Sequence, residues 1–344
     1  MKRQQKWLNL AAVAAVIAGL SAVVIKNLPG KAVRQIVNVS YDPTRELYQS
    51  LNPLFVTSYE KETGRHVVVV QSHGGSSRQA RKIIGGEQPA DVVTLGLYSD
   101  VDALRKRGLI APNWAERLPN HSQPYTSTIV FVVRQGNPHG VKDWPDLLAP
   151  GLEVVTPDPR TSGNGKLAAL AGWAAVIANG GGGDADARAF LQALYQHVPA
   201  LEEGARAAAV SFALQEVGDV HLTWENEALR EVAESKGKLE IVYPPVSILA
   251  EPYVAWVDAA LAPAEKLEDA KAYLLFLFSD PAQETIARLG YRPFRADAAR
   301  RAGVRFPQLT LVPITDIARD WNDANEKFFA ENGVIDTIIG QRRK

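Results

Sequence analysis

Short apolar runs alternate with longer amphipathic segments along most of the chain after residue 33. The runs lie in QIVNVS, HVVVVQS, ADVVTLG, LEVVTP and DVHLTW, and an amphipathic segment follows each of them. Continuous Val, Ile and Leu runs without strict alternation are typical of parallel strands that are covered on both faces. The repeated order of strand and helix therefore predicts an α/β protein with open, mainly parallel sheets flanked by helices.

Two further apolar runs predict how the chain divides. TSTIVFVV at 126–133 and AEPYVAWV at 250–257 enclose a long block of strands and helices. We interpret them as strands that cross between a first lobe, residues 33–128 plus 246–344, and a second lobe, residues 129–245. The division predicts a two-strand hinge and a cleft. Because ligands of open α/β sheets bind beyond the carboxyl ends of strands, we expect the binding site in this cleft.

The first 32 residues have the composition of a targeting segment. Lys2, Arg3 and Lys6 precede an apolar run from Trp7 to Ile25, and NLPG follows that run. The pattern predicts a signal peptide over residues 1–32 that is removed after export. The alternative is an uncleaved N-terminal anchor, because the apolar run is close to the minimum length for spanning a bilayer. Under both interpretations the remainder of the chain leaves the cytoplasm.

Composition excludes several classes of function. Residues 1–32 hold five of the 38 basic side chains and none of the 38 acidic ones, so the remainder has a net charge of −5. A chain with that balance is a poor candidate for binding nucleic acid. The absence of cysteine excludes thiol catalysis, disulfides and cysteine-bound metals. The six histidines form no H-x-x-x-H pair, and we predict no metal site and no cofactor.

Two strand-to-helix turns of the first lobe offer groups to a ligand. In NVSYDPTREL, Asp42 is a suitable N-cap and Pro43 suits the first helical position. In QSHGGSSRQAR, two glycines permit a close approach to the backbone before Ser76 or Ser77 begins a helix. A helix N-terminus attracts anions through its unpaired N–H groups and its partial positive charge. The alternative for both turns is helix capping without a ligand.

The turns of the second lobe repeat this chemistry. Ser162, Gly163 and Asn164 open a helix in TPDPRTSGNGKLAAL, and Ala205 follows a glycine in EEGARAAAVSF. Trp224 ends the strand of DVHLTW, where its alternative role is core packing. Together the turns supply hydrogen-bond donors and almost no acceptors. That set suits a fully ionised oxyanion.

The GNGKLA sequence matches two nucleotide-binding patterns incompletely. It fits G-x-G-x-x-A, but DPRTS with Pro159 separates it from the preceding strand. It also contains the GK of a phosphate-binding loop, but Leu167 stands where Ser or Thr is needed. A nucleotide-dependent enzyme is therefore an alternative that we do not prefer. No G-x-S-x-G sequence is present, and we expect no enzymatic activity.

In their order along the chain, these motifs resemble those of the periplasmic sulfate-binding proteins of ABC sulfate/thiosulfate transporters. The resemblance extends from about residue 35 to the C-terminus through NVSYDPTRELY, QSHGGSSRQAR, ADVVTL, PYTSTIVFVVRQGNP, TSGNG, GAR, DVHLTWENEAL, SILAEP, YRPFRADAA and FPQLTLV. It implies the two-lobed periplasmic-binding-protein fold of type II, which closes about its hinge. It also implies a monomeric periplasmic receptor that passes sulfate, or thiosulfate as the alternative ligand, to inner-membrane ABC permease subunits.

The resemblance also implies a set of contacts to the anion. They are the backbone N–H groups of Asp42, Gly163, Asn164 and Ala205, the hydroxyls of Ser76 and Ser162, and the indole N–H of Trp224. Arg78 and Arg206 are expected behind these contacts as charges that do not touch the anion. Asn164 and Lys166–Leu167 depart from the usual residues of the family, which is a reason to expect an altered preference for thiosulfate or another tetrahedral oxyanion. A membrane-anchored anion sensor is the remaining alternative.

Overall fold

The computed structural model describes residues 34–178 and 182–342. The predicted signal peptide or anchor at residues 1–32 lies outside these residues. Within the described ranges, no helix has both the length and the apolar character needed to cross a membrane.

The described residues form strands and helices in an alternating order. The strands are β1 Arg34–Tyr41, β2 Val67–Gly74, β3 Val92–Leu95, β4 Tyr125–Thr126, β5 Ile129–Arg134, β6 Val154–Pro157, β7 Leu201–Glu202, β8 Val220–Trp224, β9 Leu239–Val242, β10 Val246–Ile248, β11 Tyr253–Trp256, β12 Arg292–Pro293 and β13 Thr310–Val312. The helices are α1 Arg45–Thr63, α2 Ser76–Ile84, α3 Tyr98–Lys106, α4 Gly163–Ala178, α5 Asp184–Gln196, α6 Ala205–Ala213, α7 Glu225–Glu234, α8 Ala264–Phe276, α9 Asp280–Arg288, α10 Ala296–Arg301 and α11 Val334–Arg342. Shorter helical turns lie between them.

The first lobe is built on a four-stranded sheet in the order β11-β3-β1-β2. β1 pairs in parallel with β2 and β3, and β11 adds an antiparallel edge. β2 is the other edge, and Val68 and Val70 are exposed there. The prediction that its valine run is covered on both faces is wrong. β2 is an edge strand, and the face that carries Val68 and Val70 is open to solvent. The side chains of β1 and β3 pack against helices on both faces, as predicted.

The second lobe is built on a five-stranded sheet in the order β7-β6-β8-β5-β9. β6, β7 and β8 run in parallel, but β5 is antiparallel to both β8 and β9. This sheet is therefore mixed where a mainly parallel sheet was predicted. The reason is the chain entry: β5 arrives from the first lobe, so it begins at the cleft edge where β8 ends, and Ile129 pairs with Trp224.

The two predicted crossing segments are present and are tied to each other. Ser127 and Ala250 exchange backbone hydrogen bonds of 2.9 Å in both directions, between β4 and β5 on one segment and β10 and β11 on the other. The α/β class and the two-lobed architecture are thereby confirmed. A third segment, residues 302–309, also links the lobes, because β13 follows α10 of the first lobe and pairs with β10, whose Val246 and Ile248 lie in the core of the second lobe.

The C-terminal part of the chain packs with the second lobe. Ile314, Trp321 and Phe328 belong to the same hydrophobic core as Phe131 and Trp173 of that lobe, and α11 packs on α5. Apolar side chains bring this segment back across the hinge, an effect that local pattern does not encode. We therefore propose two changes to the predicted division: residues 246–248 and residues from 310 onward belong with the second lobe and not with the first.

Proline 53 lies inside α1 without ending it. Proline in a helix interior usually kinks or breaks the helix, but α1 continues from Arg45 to Thr63. Pro53 and Leu54 lie on the exposed face of the helix. A carbonyl left unpaired by the proline can reach water there, so the helix tolerates the interruption.

Candidate functional site

The predicted site residues gather at the carboxyl ends of five strands, β1, β2, β6, β7 and β8. Asp42 follows β1, Ser76 follows β2, and Trp224 is the last residue of β8. The turn after β6 leads into α4, and Gly204 precedes α6. Because the carboxyl ends of β1, β2, β6, β7 and β8 face the region between the lobes, their turns meet across the cleft.

Asp42 begins a short 3₁₀ turn, Asp42–Thr44, that continues into α1. It does not cap the helix, since Tyr41 occupies the position before the turn. Its carboxylate instead accepts a hydrogen bond of 3.2 Å from Arg45. The same carboxylate reaches across the cleft, because a Cβ atom built on Gly204 would lie 2.8 Å from Asp42 Oδ2.

Ser76 is the first residue of α2 and is buried. Neither Ser76 nor Ser77 caps the helix: both hydroxyls donate to Asp100, at 2.6 and 2.8 Å. Ser76 Oγ also accepts from the backbone N–H of Gly96 at 3.0 Å. A hydroxyl has one proton to donate, so Ser76 Oγ can donate to an anion only after leaving Asp100. Its backbone N–H belongs to the first turn of α2, where helices have no intrahelical acceptor.

The turn after β6 places three of the predicted residues against the first lobe. Ser162, Gly163 and Asn164 are all buried, and α4 starts at Gly163. A Cβ atom built on Gly163 would lie 3.2 Å from the Cβ of Ser76, so the two lobes touch at this pair. The side-chain amide of Asn164 donates to the carbonyl of Leu222 at 3.0 Å. The backbone N–H of Asn164 lies in the first turn of α4, where helices have no intrahelical acceptor.

The glycine spacing of GNGKLA has a packing explanation. A Cβ atom on Gly165 would lie 2.4 Å from the carbonyl oxygen of Pro157 and 2.7 Å from the nitrogen of Pro159. Only glycine allows α4 to start this close to the end of β6. The close contact removes the observation on which the nucleotide-binding alternative depended.

Trp224 carries a buried donor without an acceptor. Its side chain is fully buried, and its indole N–H has no hydrogen-bond partner among the described residues. The ring contacts the first lobe, with its centroid 5.3 Å from that of Tyr41 and its Cζ2 atom close to Gly96. A buried N–H group that lacks an acceptor costs about 1–3 kcal/mol, so this position is unfavourable unless a ligand accepts the bond.

Ala205 begins α6 directly opposite the first lobe. It is buried, and Gly204 before it has an extended backbone with φ −164° and ψ 174°. The first N–H groups of α6 therefore face the region that Asp42 approaches from the other side. α2, α4 and α6 thus bring their N-termini to one small volume, as the sequence predicted.

Asp100 and Lys166 form a charged pair that the sequence did not predict. The Lys166 ammonium lies 3.7 Å from Asp100 Oδ1, and both side chains are buried although they come from different lobes. Asp100 lies in the first turn of α3, after β3. This is another strand-to-helix turn of the first sheet, so reading β3 and α3 in the same way as β1 and β2 would have identified Asp100. No local signal could have paired it with Lys166.

Arg78 and Arg206 each hold an acidic residue of the opposite lobe. Arg78 pairs with Glu203, and Arg206 donates to both oxygens of Glu46 at 2.8 and 3.0 Å. The pKa of Glu46 lies below its usual range: burial opposes this shift, but a backbone hydrogen bond and the Arg206 guanidinium outweigh the burial. Both arginines therefore form ion pairs between the lobes. The expectation for them was only a positive charge behind the anion contacts.

Two further titratable groups lie beside the site. Burial lowers the pKa of His73 from its ordinary value, although a hydrogen bond with the Tyr41 carbonyl opposes the shift. Burial also raises the pKa of Glu225, next to Trp224, while Arg292 opposes the shift through bonds of 2.6 and 2.9 Å. Among the described residues, no group of three or more His, Asp or Glu could hold a metal ion. The arrangement offers N–H donors, and the charged side chains around it are paired with one another.

Comparisons with known proteins identify a family and several relatives. A family model described as bacterial extracellular solute-binding protein matches residues 44–292. The sulfate-binding protein of Salmonella typhimurium is 46% identical over 305 residues, which cover 88% of this chain and 92% of that protein. The thiosulfate-binding protein of Pseudomonas aeruginosa is 42% identical over 309 residues, covering 89% and 92% of the two chains.

A solved structure extends the similarity to three dimensions. The sulfate-binding protein SubI from Mycobacterium tuberculosis H37Rv superposes with a TM-score of 0.78 at 32% identity. The match covers 86% of this chain and 99% of SubI. The similarity thus includes both lobes and the cleft between them.

Proposed function

Because the chain belongs to the bacterial extracellular solute-binding proteins, we propose that it captures sulfate between its lobes and delivers it to an ABC importer. The relatives that match most of its length are binding proteins for sulfate or thiosulfate. In this proposal the protein binds and releases its ligand without changing it. Export to the periplasm, the permease subunits as partners and a monomeric state complete the proposal.

The observation that carries the proposal is the indole N–H of Trp224. It is fully buried at the contact between the lobes and has no acceptor among the described residues. Sulfate offers only acceptor oxygens, so it satisfies this donor without bringing a proton that needs a partner of its own. The Trp224 ring packs on Tyr41. Tyr41 directly precedes Asp42, whose backbone N–H is one of the predicted contacts.

Helix N-termini supply the remaining stabilisation of a dianion in this proposal. Each terminus carries the equivalent of about half a positive charge, so α2, α4 and α6 together offset most of two negative charges. The backbone N–H groups of Asp42, Gly163, Asn164 and Ala205 donate, with the hydroxyl of Ser162. Charge-assisted hydrogen bonds contribute about 1.5–3 kcal/mol each, and several of them outweigh the desolvation of sulfate. Ser76 contributes its backbone N–H, and its hydroxyl if it turns away from Asp100.

Selectivity follows from the shortage of free acceptors. Hydrogen phosphate keeps a proton at neutral pH and would bury that donor without a partner, at a cost of about 1–3 kcal/mol or more. The two carboxylates nearest the site have partners of their own: Asp42 Oδ1 accepts from Arg45, and Asp100 accepts from Ser76 and Ser77. Each carboxylate can accept more than one hydrogen bond, so selectivity in this proposal requires that neither turns an oxygen toward the anion.

Calorimetric titration of the dialysed protein tests the function directly. Sulfate should bind with one-to-one stoichiometry at neutral pH, and phosphate at the same concentration should give no binding heat. Thiosulfate and molybdate titrations establish whether the departures at Asn164 and Lys166 have changed the preferred oxyanion. Tighter binding of thiosulfate than of sulfate would replace the proposed ligand, and no heat from any of the four anions would contradict the function itself.

A further inference from the structure

Gly75 lies where the backbones of the two lobes come closest. A Cβ atom built on it would lie 2.5 Å from the carbonyl oxygen of Thr161 and 3.6 Å from that of Glu203, both in the second lobe. A separation of 2.5 Å is well inside van der Waals contact. The obstructing atom is a backbone oxygen, which cannot rotate away as the end of a side chain can.

The backbone of Gly75 does not itself require glycine. Its φ of −56° and ψ of 131° are accessible to alanine, and it occupies the position before α2. The three atoms nearest to its added Cβ all belong to Thr161 and Glu203 of the second lobe. The need for glycine at this position therefore comes from the second lobe and exists only when the lobes are together.

Gly204 repeats the arrangement from the other side of the cleft. Its φ of −164° and ψ of 174° are extended and open to any residue. A Cβ atom there would lie 2.8 Å from Asp42 Oδ2, a side-chain atom of the first lobe. This obstruction is softer than the one at Gly75, because the Asp42 carboxylate can change rotamer.

We propose that Gly75 and Gly204 are positioning residues that set how far the lobes close, with Gly75 as the stricter of the two. A single methyl group at Gly75 would hold the turn before α2 away from Thr161. The N–H groups of α2 and α4 would then fail to reach one anion together, since Ser76 and Gly163 lie next to these contacts. The inference rests on the proposed function, in which binding requires donors from both lobes.

Gly75→Ala, compared with Gly183→Ala, tests the inference. Gly183 also precedes a helix, has φ −97° and ψ −171°, and its added Cβ would have no atom of the described residues within 4 Å. Both variants should unfold at the wild-type temperature without ligand. Gly75→Ala should bind sulfate roughly 10- to 100-fold more weakly, the range expected from overpacking by a methyl group, whereas Gly183→Ala should bind as wild type.

The kinetic and structural readouts separate a closure defect from local damage. Stopped-flow fluorescence should place the loss of Gly75→Ala in the dissociation rate, because a ligand held by one lobe escapes before the cleft shuts. At saturating sulfate, small-angle X-ray scattering should give this variant a larger radius of gyration than the wild type. Equal affinity and equal compaction of Gly75→Ala and the wild type would overturn the inference.

Rescue at the second contact supplies an independent check. Gly204→Ala should weaken sulfate binding less than Gly75→Ala, and adding Asp42→Ala should recover affinity relative to Gly204→Ala, because it removes the obstructing oxygen. Absence of recovery, with Asp42→Ala alone as the reference, would overturn the inference at Gly204. If the wild type itself fails to bind sulfate, the proposed function fails, whereas wild-type binding with no effect of Gly75→Ala removes only the inference.

Discussion

The indole N–H of Trp224 is a buried hydrogen-bond donor at the contact between the lobes, and among the described residues it has no acceptor. Such a group destabilises the structure until a ligand accepts its hydrogen bond. The sequence placed this residue at the end of a strand, before an acidic helix start, and could not decide between packing and ligand binding. The structure shows both the packing on Tyr41 and an indole N–H that has no partner in the described part of the chain. The donor is therefore the feature of Trp224 that mutation can isolate.

Trp224→Phe should keep the fold and weaken sulfate binding by about 1–3 kcal/mol, because the ring remains and one donor to the dianion is lost. Isothermal calorimetry measures the change, and thermal unfolding without sulfate checks the fold. Trp173→Phe is the matched control: Trp173 is also a buried tryptophan of the second lobe whose N–H has no partner among the described residues, but it packs on Phe328. Equal affinity of Trp224→Phe and Trp173→Phe would remove the indole from the site.

Serine 76 shows the limit of interpretation from a single residue. Its position at a helix start was predicted, but capping was wrong because Asp100, 24 residues later, takes both serine hydroxyls. Hydrogen-bond competition of this kind depends on a tertiary neighbour. Residue types at the turn therefore identify donors, while the orientation of each donor requires the fold.

At the scale of elements, the middle of α3 contains a carboxylate whose charge supports the fold. Asp102 is fully buried and accepts hydrogen bonds of 2.5 and 2.9 Å from Arg105. Burial alone would raise the pKa of Asp102, but the Arg105 bonds and charge, with help from Trp114, bring it below its ordinary value. The folded state therefore binds this proton less tightly than the unfolded state does.

Asp102→Asn should lower the free energy of unfolding by about 1.5–3 kcal/mol at pH 7, since a hydrogen-bonded charge is lost. Stability from a depressed carboxyl pKa is present above the unfolded value, near 3.9, and is lost as the pH falls through the folded value. Urea unfolding of wild type and variant from pH 7 to pH 2.5 should thus show a difference that shrinks below about pH 4. A difference that stays constant with pH would show that Asp102 acts by shape alone.

Strand ends and helix starts were predictable because apolar runs and turn residues are local signals. The exposure of β2 and the reversed direction of β5 were not, since each depends on which strand lies beside which. Asp100 illustrates the intermediate case: the turn after β3 was visible in the sequence, but its contact with Lys166 joins residues of two lobes. Local pattern thus identified the elements of the site and missed the pairings between them.

For the whole molecule, ion pairs across the cleft stabilise the arrangement in which the two lobes are in contact. Arg78 binds Glu203 and Arg206 binds Glu46, so the two arginines predicted to lie behind the anion also join the lobes. The Arg78 and Glu203 side chains are 42% and 63% exposed, so solvent screens their attraction strongly. Exposed pairs of this kind contribute about 0.2–1 kcal/mol.

Glu203→Gln should increase the sulfate dissociation rate by about 1.4- to 5-fold at low ionic strength, and the effect should diminish in 0.5 M sodium chloride. Stopped-flow fluorescence at both salt concentrations measures it. Glu268→Gln is a matched control, because its pair with Arg65 lies within the first lobe and has nearly equal exposure, 40% and 62%. A salt-dependent change of equal size in Glu268→Gln would assign the effect to overall charge and not to the bridge.

The C-terminal segment ends on the lobe opposite to the one in which β1 lies, with α11 packed on α5. Gln35 of β1 and Gln341 of α11 therefore lie on different lobes, and both are exposed. Since the chain has no cysteine, two introduced at these positions would be its sole thiols for labelling. A donor and an acceptor dye attached there would change their energy transfer as the lobes move, which makes a doubly labelled chain an optical sensor for its oxyanion.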